Sequence, residues 1–319
     1  MRIALINSGL GLLAAAAALH RIRPDADLVL ATDPDGMPWG PRTPQDIAER
    51  ALLCARAARQ YEPDVLVMAC NTGSVHALEP LRAEFEPDIP VIGTVPAIKP
   101  AAAAHRLVAI WATVATTASA YQRRLIAEFG GSALVTPVAC PGLADAIDAG
   151  DAAAAAAAVT AAAAQTPAGC EAVVLGCTEY ELATEAIRAA MPGAVTFGSA
   201  AAVAAQALRR IPSAASAPLP GVPSASSAPL PETPFASSAP LPETPSASSA
   251  QPPGIPSASS APPRTAVNGA GLGSVRVLLS GRPAPLPPAA LGYPEGRLLA
   301  PLVRVDDPGR APAARPVAR

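Results

Sequence analysis

The stretches Val65-Leu-Val-Met-Ala-Cys70-Asn-Thr72 and Val173-Val-Leu-Gly-Cys177-Thr178 decide the fold. Each is a short apolar run that ends in a cysteine with a threonine close behind. A continuous apolar run of this length predicts a strand buried on both faces, as in a parallel sheet covered by helices. Two copies of one design therefore predict two similar α/β halves that face each other.

The same strand pattern extends outward from these two runs through residues 1–211. Ala/Leu/Arg-rich helical stretches separate the strands, which predicts parallel sheets with helices on both faces. Ligands of such open sheets bind beyond the carboxyl ends of the strands, where both cysteines fall. The expected strands are Arg2–Ile6, Leu28–Ala31, Val65–Ala69, Val91–Gly93, Leu107–Trp111, Leu134–Thr136, Ala172–Leu175 and Val195–Phe197.

The rest of the chain has a different composition. An eleven-residue Pro/Ser/Ala-rich unit recurs at residues 216–226, 227–237, 238–248 and 249–259, and such a unit lacks the apolar bulk for a core. We expect a first half at 1–95, joined by 198–211 and by a late strand within 274–283 that packs back on it. A second half spans 96–197, a low-complexity linker 212–273, and a mostly disordered tail 284–319.

Composition excludes several classes of function. The net charge of −2 gives no electrostatic case for binding nucleic acid or an anionic membrane. No signal-like pattern and no long apolar span is evident, so we expect a cytoplasmic location. Five cysteines without a C-x-x-C pair and three scattered histidines indicate neither a disulfide framework nor a metal site.

Cys70 and Cys177 are the candidate catalytic residues. A free cysteine is commonly just a small buried apolar side chain. Here both follow a buried strand and precede a helix start, which lowers the pKa of a thiol. Inverting a carbon stereocentre needs one proton carrier on each face, and two matched thiols can supply them. Cys54, Cys140 and Cys170 lack this setting and are expected to be structural.

The residues after the two cysteines can hold a substrate carboxylate. Asn71, Thr72 and Thr178 offer an amide, hydroxyls and backbone N–H groups at helix starts, although ordinary helix capping explains each one equally well. Lys99 is the single lysine, and it leaves a pyridoxal-phosphate mechanism as the lesser alternative. We expect no cofactor and no metal.

Several motifs together resemble the aspartate/glutamate racemase family, and within it the bacterial glutamate racemases. They occur in family order across residues 1–211, and Leu278-Leu-Ser-Gly-Arg-Pro283 resembles the family's C-terminal segment. The matching motifs are Asn7-Ser-Gly-Leu-Gly11, Pro38-Trp-Gly-Pro-Arg-Thr43, Ala69-Cys-Asn-Thr72, Pro90-Val-Ile-Gly-Thr-Val-Pro96, Ala112-Thr-Val-Ala-Thr116, Cys140-Pro141 and Leu175-Gly-Cys-Thr178.

The resemblance implies two flavodoxin-like halves with the active site between them. It implies interconversion of L- and D-glutamate without a cofactor, to supply D-glutamate for peptidoglycan, with Cys70 and Cys177 as the acid/base pair. It leaves a homodimer open. The matching pocket positions are Ser8, Gly40, Asn71, Thr72, Thr113, Thr116 and Thr178, and Asp148 stands where many members have Glu.

Three pocket positions depart from the glutamate racemase pattern. Those enzymes have Asp where this chain has Asn7, Tyr where it has Trp39, and His where it has Glu179. Glu179 should raise the pKa of Cys177, while Cys70 should be free of a neighbouring carboxylate. Aspartate racemases share Gly-Cys-Thr-Glu with this chain. Racemisation of aspartate or another acidic amino acid is thus one alternative, and a racemase-derived binding module without turnover is another.

Overall fold

Two parallel sheets organise residues 1–211 and 271–305, the ranges that the computed structural model describes. The first half contributes four strands and four helices in alternation. Its elements are β1 (Arg2–Asn7), α1 (Leu12–Ile22), β2 (Asp27–Thr32), α2 (Pro44–Arg59), β3 (Val65–Met68), α3 (Asn71–His76), α4 (Leu78–Phe85) and β4 (Val91–Ile92).

The second half repeats the alternation with four strands and six helices. Cys177 is followed by a 3-10 turn, Thr178–Ala183, rather than by an α-helix. The elements are α5 (Ile98–Ala104), β5 (Leu107–Ala112), α6 (Val114–Ala118), α7 (Ala120–Phe129), β6 (Leu134–Ala139), α8 (Leu143–Ala149), α9 (Ala152–Gln165), β7 (Ala172–Leu175), α10 (Thr184–Ala190) and β8 (Val195–Phe197).

Both sheets have the same strand order, which confirms the expected pair of flavodoxin-like halves. The second sheet runs β6-β5-β7-β8, and the first contains the equivalent β2-β1-β3-β4. In each, the chain changes direction across the sheet at the central strand, so a crevice opens between β1 and β3 and between β5 and β7. Ligands of doubly wound sheets bind at such switch points.

The last described segment completes the first sheet. After β8, α11 (Ala200–Arg210) packs against α1, and β9 (Val275–Leu279) pairs in parallel with β2. β10 (Arg282–Pro283) lies antiparallel to β9 at the sheet edge. The first sheet therefore has six strands, ordered β10-β9-β2-β1-β3-β4.

Residues 284–305 are ordered, so the expectation of a mostly disordered tail from residue 284 is wrong for this range. They form 3-10 turns and α12 (Pro294–Leu299). Leu299 and Leu302 are buried, and Tyr293 donates a hydrogen bond from its hydroxyl to the Ile147 carbonyl at 2.7 Å. The expected linker repeats at 212–270 and the tail at 306–319 lie outside the described residues.

Strand positions match the expectations closely, and β6 is the largest difference. It continues three residues past Thr136, to Ala139, and stays in register with β5 through the pair Ala112 and Ala139. Pro137 ends the strand pattern in the sequence. β6 is an edge strand, however, and an edge position tolerates a residue without an N–H group.

Local sequence signals explain the helix that supports the Cys70 side of the site. α2 begins at Pro44, and Thr43 caps it by accepting a hydrogen bond from the Asp46 N–H at 3.2 Å. Its inner face buries Ile47 and Cys54 in a core that also contains Trp39 and Cys70. In the described ranges, no helix combines the length and apolarity that a bilayer crossing requires.

Candidate active site

Cys70 and Cys177 lie at the carboxyl ends of equivalent strands, β3 and β7, at the switch points of the two sheets. Cys70 is the N-cap residue of α3, and its Sγ accepts a hydrogen bond from the Gly73 N–H at 3.4 Å. Cys177 precedes the 3-10 turn and is partly exposed, whereas Cys70 is buried. The two thiols are close enough for the charge of one to raise the pKa of the other.

Two asparagines of the first half bind the loop that carries Cys177. Asn7, fully buried at the end of β1, donates from Nδ2 to the Ala69 carbonyl at 2.7 Å and to Thr178 Oγ1 at 3.1 Å. Asn71 donates from Nδ2 to the Gly176 carbonyl at 2.6 Å. These bonds join the carboxyl edges of the two sheets. We call the region between these edges, where both thiols lie, the cleft.

Glu179 places a carboxylate in this cleft. Its Oε2 accepts hydrogen bonds from Cys177 Sγ at 2.9 Å and from Thr178 Oγ1 at 3.3 Å. The side chain is only 4% exposed, and within the described residues its Oε1 has no hydrogen-bond partner. The Oδ1 of Asn71 is likewise buried without one. A buried acceptor without a donor is costly, so both atoms are suited to bind a donor group that enters the cleft.

Desolvation by the surrounding protein, rather than the helix starts, has the larger effect on the pKa of both thiols. It raises the pKa of Cys70 to about 12, although N–H groups of Gly73, Thr72 and Ser8 oppose this effect. The pKa of Cys177 lies well above its usual value because protein atoms packed around the thiol desolvate it, and because Glu179 contributes its charge and a hydrogen bond. The expected lowering by a helix N-terminus is thus outweighed. Glu179 also raises the pKa of Cys70, so the expectation that Cys70 is free of a nearby carboxylate is wrong.

Asp148 lies beside the turn that follows β1. Its Oδ1 accepts a hydrogen bond from the Leu10 N–H at 2.7 Å. Burial and the nearby charge of Glu179 raise the pKa of Asp148 to about 8. This carboxyl group therefore holds its proton to a higher pH than an ordinary aspartate does.

The remaining predicted residues follow β1, β2, β3 and β5 at the carboxyl ends of the two sheets. Ser8 donates from its hydroxyl to Asn7 Oδ1 at 3.2 Å, and Thr72 lies in the first turn of α3. Thr113 caps α6, and its hydroxyl donates to Thr116 Oγ1 at 3.0 Å. Gly40 has open space around the position of a Cβ atom in the described structure.

Trp39 packs in the core that also contains Cys70 and does not present a polar group to the cleft. Its ring is 1% exposed, and its single polar atom, Nε1, donates to Asp33 Oδ2 at 2.9 Å. Asp33 also accepts a hydrogen bond from the Ser280 hydroxyl at 3.3 Å. The C-terminal segment therefore supports the pocket wall through Asp33 and Trp39.

Known proteins resemble the chain over the part that carries this site. A family model described as Asp/Glu/Hydantoin racemase matches residues 8–208. The chain belongs to the Asp/Glu/hydantoin racemase family. The racemase is accordingly an isomerase that acts on amino acids.

Individual relatives agree with the family. Glutamate racemase of Pseudomonas putida strain F1 is 33% identical over 214 residues, which are 66% of this racemase and 80% of the relative. That of Herpetosiphon aurantiacus is 33% identical, with coverage of 66% and 85%. Escherichia coli glutamate racemase, solved with L-glutamate and the activator UDP-MurNAc-ala, has a TM-score of 0.60 at 29% identity and coverage of 64% and 80%.

Three residues that support the racemase site were not among the predicted site residues, although Gly11 ends the motif Asn7-Ser-Gly-Leu-Gly11. Asp33 holds Trp39, Gly11 lies against the polar groups of the cleft, and Glu181 binds the start of α11. An aspartate after a strand was the available signal for Asp33. The closeness of Gly11 to Thr178 and Glu179, and the bonds of Glu181 to Ser199, join residues more than ten positions apart, which no local pattern displays.

Other candidate groups do not join this site. Lys99 is exposed on α5, and Cys54, Cys140 and Cys170 are buried. Cys170 lies at the amino end of β7, opposite the edge that carries Cys177, and donates to the Ala172 carbonyl at 3.2 Å. Across residues 1–211 and 271–305, no cluster of three or more His, Cys, Asp or Glu side chains has the geometry for a metal ion.

Proposed function

We propose that the chain interconverts L- and D-glutamate without a cofactor, with Cys70 and Cys177 as the two proton carriers. The observation that carries this proposal is the placement of the two thiols at equivalent switch points of two similar sheets. Relatives named glutamate racemase at about one third identity support the choice of substrate.

The reaction needs one proton carrier on each face of the α-carbon. A thiolate on one face takes the α-proton, so an S–H bond forms, the Cα–H bond breaks, and the electron pair stays on the substrate. The thiol on the opposite face then gives up its proton to that carbon, which inverts the stereocentre and leaves a new thiolate. Reversing the two roles converts the other enantiomer.

The substrate itself helps to generate the thiolate. Both thiols hold their protons at neutral pH in the free protein, because burial and Glu179 raise their pKa values. An amino-acid substrate brings an ammonium group with three donors, which suits the unpartnered oxygens of Glu179 and Asn71. The positive charge of the ammonium group offsets the negative charge of Glu179 and so lowers the pKa of the neighbouring thiols.

The other pocket residues are proposed to hold the carboxylates and shape the cleft. Hydroxyl and backbone N–H donors at the starts of α3, α6 and the 3-10 turn suit carboxylate oxygens. Trp39 acts by packing in the core, and Asp148 supports the Leu10 backbone. The donor and cleft positions in this assignment are Asn7, Ser8, Gly40, Asn71, Thr72, Thr113, Thr116 and Thr178.

The proposed cellular role is the supply of D-glutamate for peptidoglycan in the cytoplasm. The proposed partner is the amino-acid substrate, and a homodimer is the assembly to test. A second candidate is racemisation of aspartate or another acidic amino acid. Glu179 favours this alternative, because aspartate racemases resemble this chain in having Gly-Cys-Thr-Glu.

A cofactor-free racemisation assay with L-Glu, D-Glu, L-Asp and D-Asp tests the proposal. We expect turnover of glutamate that survives treatment with chelator and hydroxylamine. Preference for aspartate would support the second candidate, and no turnover of any of the four would indicate a binding module.

Variants of the two thiols test the mechanism. Cys70→Ser and Cys177→Ser should each lose at least about 1,000-fold in kcat, since a hydroxyl is a far weaker acid and base than a thiol and each face needs its own carrier. Cys170→Ser is the matched control, because it makes the same chemical change at the opposite end of β7. Near-normal turnover in either of the first two variants contradicts the two-thiol mechanism.

A further inference from the structure

Glu181 lies in the 3-10 turn four residues after Cys177 and reaches across to another element. Its Oε1 accepts three hydrogen bonds, from the Ser199 N–H at 2.8 Å, the Ser199 hydroxyl at 2.9 Å and the Ala200 N–H at 3.0 Å. Its Oε2 lies 3.3 Å from the same Ala200 nitrogen. One carboxylate thus gathers the donors at the start of α11.

These donors are groups that a helix start leaves unsatisfied. Ser199 is the N-cap residue of α11, a position where a serine hydroxyl ordinarily accepts from the helix. Here the hydroxyl donates to Glu181, and the carboxylate provides the cap from outside. Gly198 is adapted to this arrangement, because a Cβ atom there would lie 2.5 Å from Glu181 Oε2.

The contact sits where the chain crosses between the two halves. Gly198 and Ser199 connect β8 of the second sheet to α11, which packs against α1 of the first half. α1 follows the short loop after Asn7, the last residue of β1, and the 3-10 turn also packs against α1. Glu181 therefore ties the segment bearing Cys177 to the helices behind the first half of the site.

We infer that Glu181 is a positioning residue, which fixes Cys177 relative to Cys70 by binding the start of α11. A charge-assisted cap is stronger than a neutral one and favours the positive end of the helix dipole. Proton transfer requires close placement of the carrier, so a small shift of Cys177 slows its step selectively. This inference rests on the proposed two-thiol function.

Glu181→Ala tests the inference through kcat, KM and the isotope effect of α-deuterated substrate. We expect kcat to fall about ten- to a hundredfold, since displacement of a reacting group by about 1 Å has effects of that size. KM should change little. The deuterium isotope effect should rise for the enantiomer from which Cys177 removes the proton. It should fall for the other enantiomer, because Cys177 then delivers the second proton, and slowing that later step makes removal of the α-deuteron by Cys70 less rate-limiting. General destabilisation would not separate the two enantiomers in this way.

Two further variants keep the test interpretable. Glu181→Gln retains an oxygen acceptor and should recover part of kcat. Glu185→Ala removes a nearby exposed carboxylate that binds only Arg188 among the described contacts, and it should behave as wild type. Equal isotope effects for both enantiomers, or normal kcat in Glu181→Ala, overturn this inference alone. A wild-type chain without turnover overturns the proposed function and this inference together.

Discussion

Within the site, the carboxylate of Glu179 contacts Cys177 directly and acts on Cys70 through space. Both effects stabilise the protonated thiols, because a thiolate beside a carboxylate is a like-charge pair. The thiolate that the proposed mechanism uses as its base is therefore scarce at neutral pH. Its fraction grows as pH rises toward the pKa of the thiols, which is about 12 for Cys70.

Glu179→Gln should shift this dependence. Removing the negative charge lowers the pKa of both thiols, so the rising limb of kcat/KM against pH should move to lower pH. The same substitution removes the carboxylate that is proposed to bind the substrate ammonium group, so KM should increase. The measurement is kcat/KM for each enantiomer from about pH 6 to about pH 11, a range that spans the usual thiol pKa. The same profile for wild type and Glu185→Gln provides the reference, and an unmoved limb in Glu179→Gln would contradict the role of this charge.

Sequence patterns predicted that the two thiols and the polar residues beside them lie at the ends of strands. This was possible because the apolar run of each strand is visible in neighbouring residues. The pKa values could not be read in the same way. A helix start was visible in the sequence, whereas the depth of burial and the approach of Glu179 to Cys70 depend on how the two halves meet. The desolvation of a thiol in that interface outweighs the helix start.

At the level of elements, the start of α1 touches the opposite half of the site through Gly11. A Cβ atom at this position would lie 2.4 Å from Thr178 Oγ1 and 2.6 Å from both Asn7 Nδ2 and Glu179 Oε1. The backbone of Gly11 has φ −58° and ψ −20°, which any residue can adopt. The need for glycine is therefore one of space and not of backbone conformation.

Gly11→Ala should consequently push the first turn of α1 away from the 3-10 turn. We expect overpacking to lower the free energy of unfolding by about 1–3 kcal/mol. We also expect kcat to fall by a larger fraction than the free energy of unfolding does, because the reacting groups are displaced. Urea unfolding and steady-state kinetics measure the two effects. Gly193→Ala is the control, because the described structure leaves open space at its Cβ position. Normal kcat in Gly11→Ala would show that α1 does not form part of the site.

The strands β1 to β8 were predictable from the sequence because their apolar runs are continuous and bounded by turns. The exception, β6, shows the limit of that signal. Pro137 reads as the end of a strand, and only the sheet order reveals that β6 is an edge where proline is tolerated.

On the scale of the whole molecule, the C-terminal segment is part of the fold of the first half. Val277 and Leu278 of β9 are buried, and Leu278 belongs to the core that contains Trp39 and Cys70. Ser280 extends this support by its hydrogen bond to Asp33. The short apolar run was visible in the sequence, but its pairing with β2 joins residues about 250 positions apart and has no local signature.

Leu278→Ala should lower the free energy of unfolding by about 2–5 kcal/mol, the usual cost of a cavity in a packed core. Leu272→Ala makes the same change at a side chain that is 71% exposed and should cost less than about 0.5 kcal/mol. Denaturant unfolding of both variants gives the comparison. Equal stability of the two would mean that β9 does not contribute to the core.

The position of β9 in the sheet also has a consequence for biosynthesis. A ribosome makes the second half, through β8, completely before it reaches the strand that covers the free edge of β2. The edge of β2 in the nascent first half therefore remains unpaired while the residues between Ile211 and Gly271 are translated. An exposed strand edge of this kind is a site for wrong pairing. Because β9 comes after both halves along the chain, newly made chains complete the first sheet only when β9 has been translated. Until then they are substrates for chaperones.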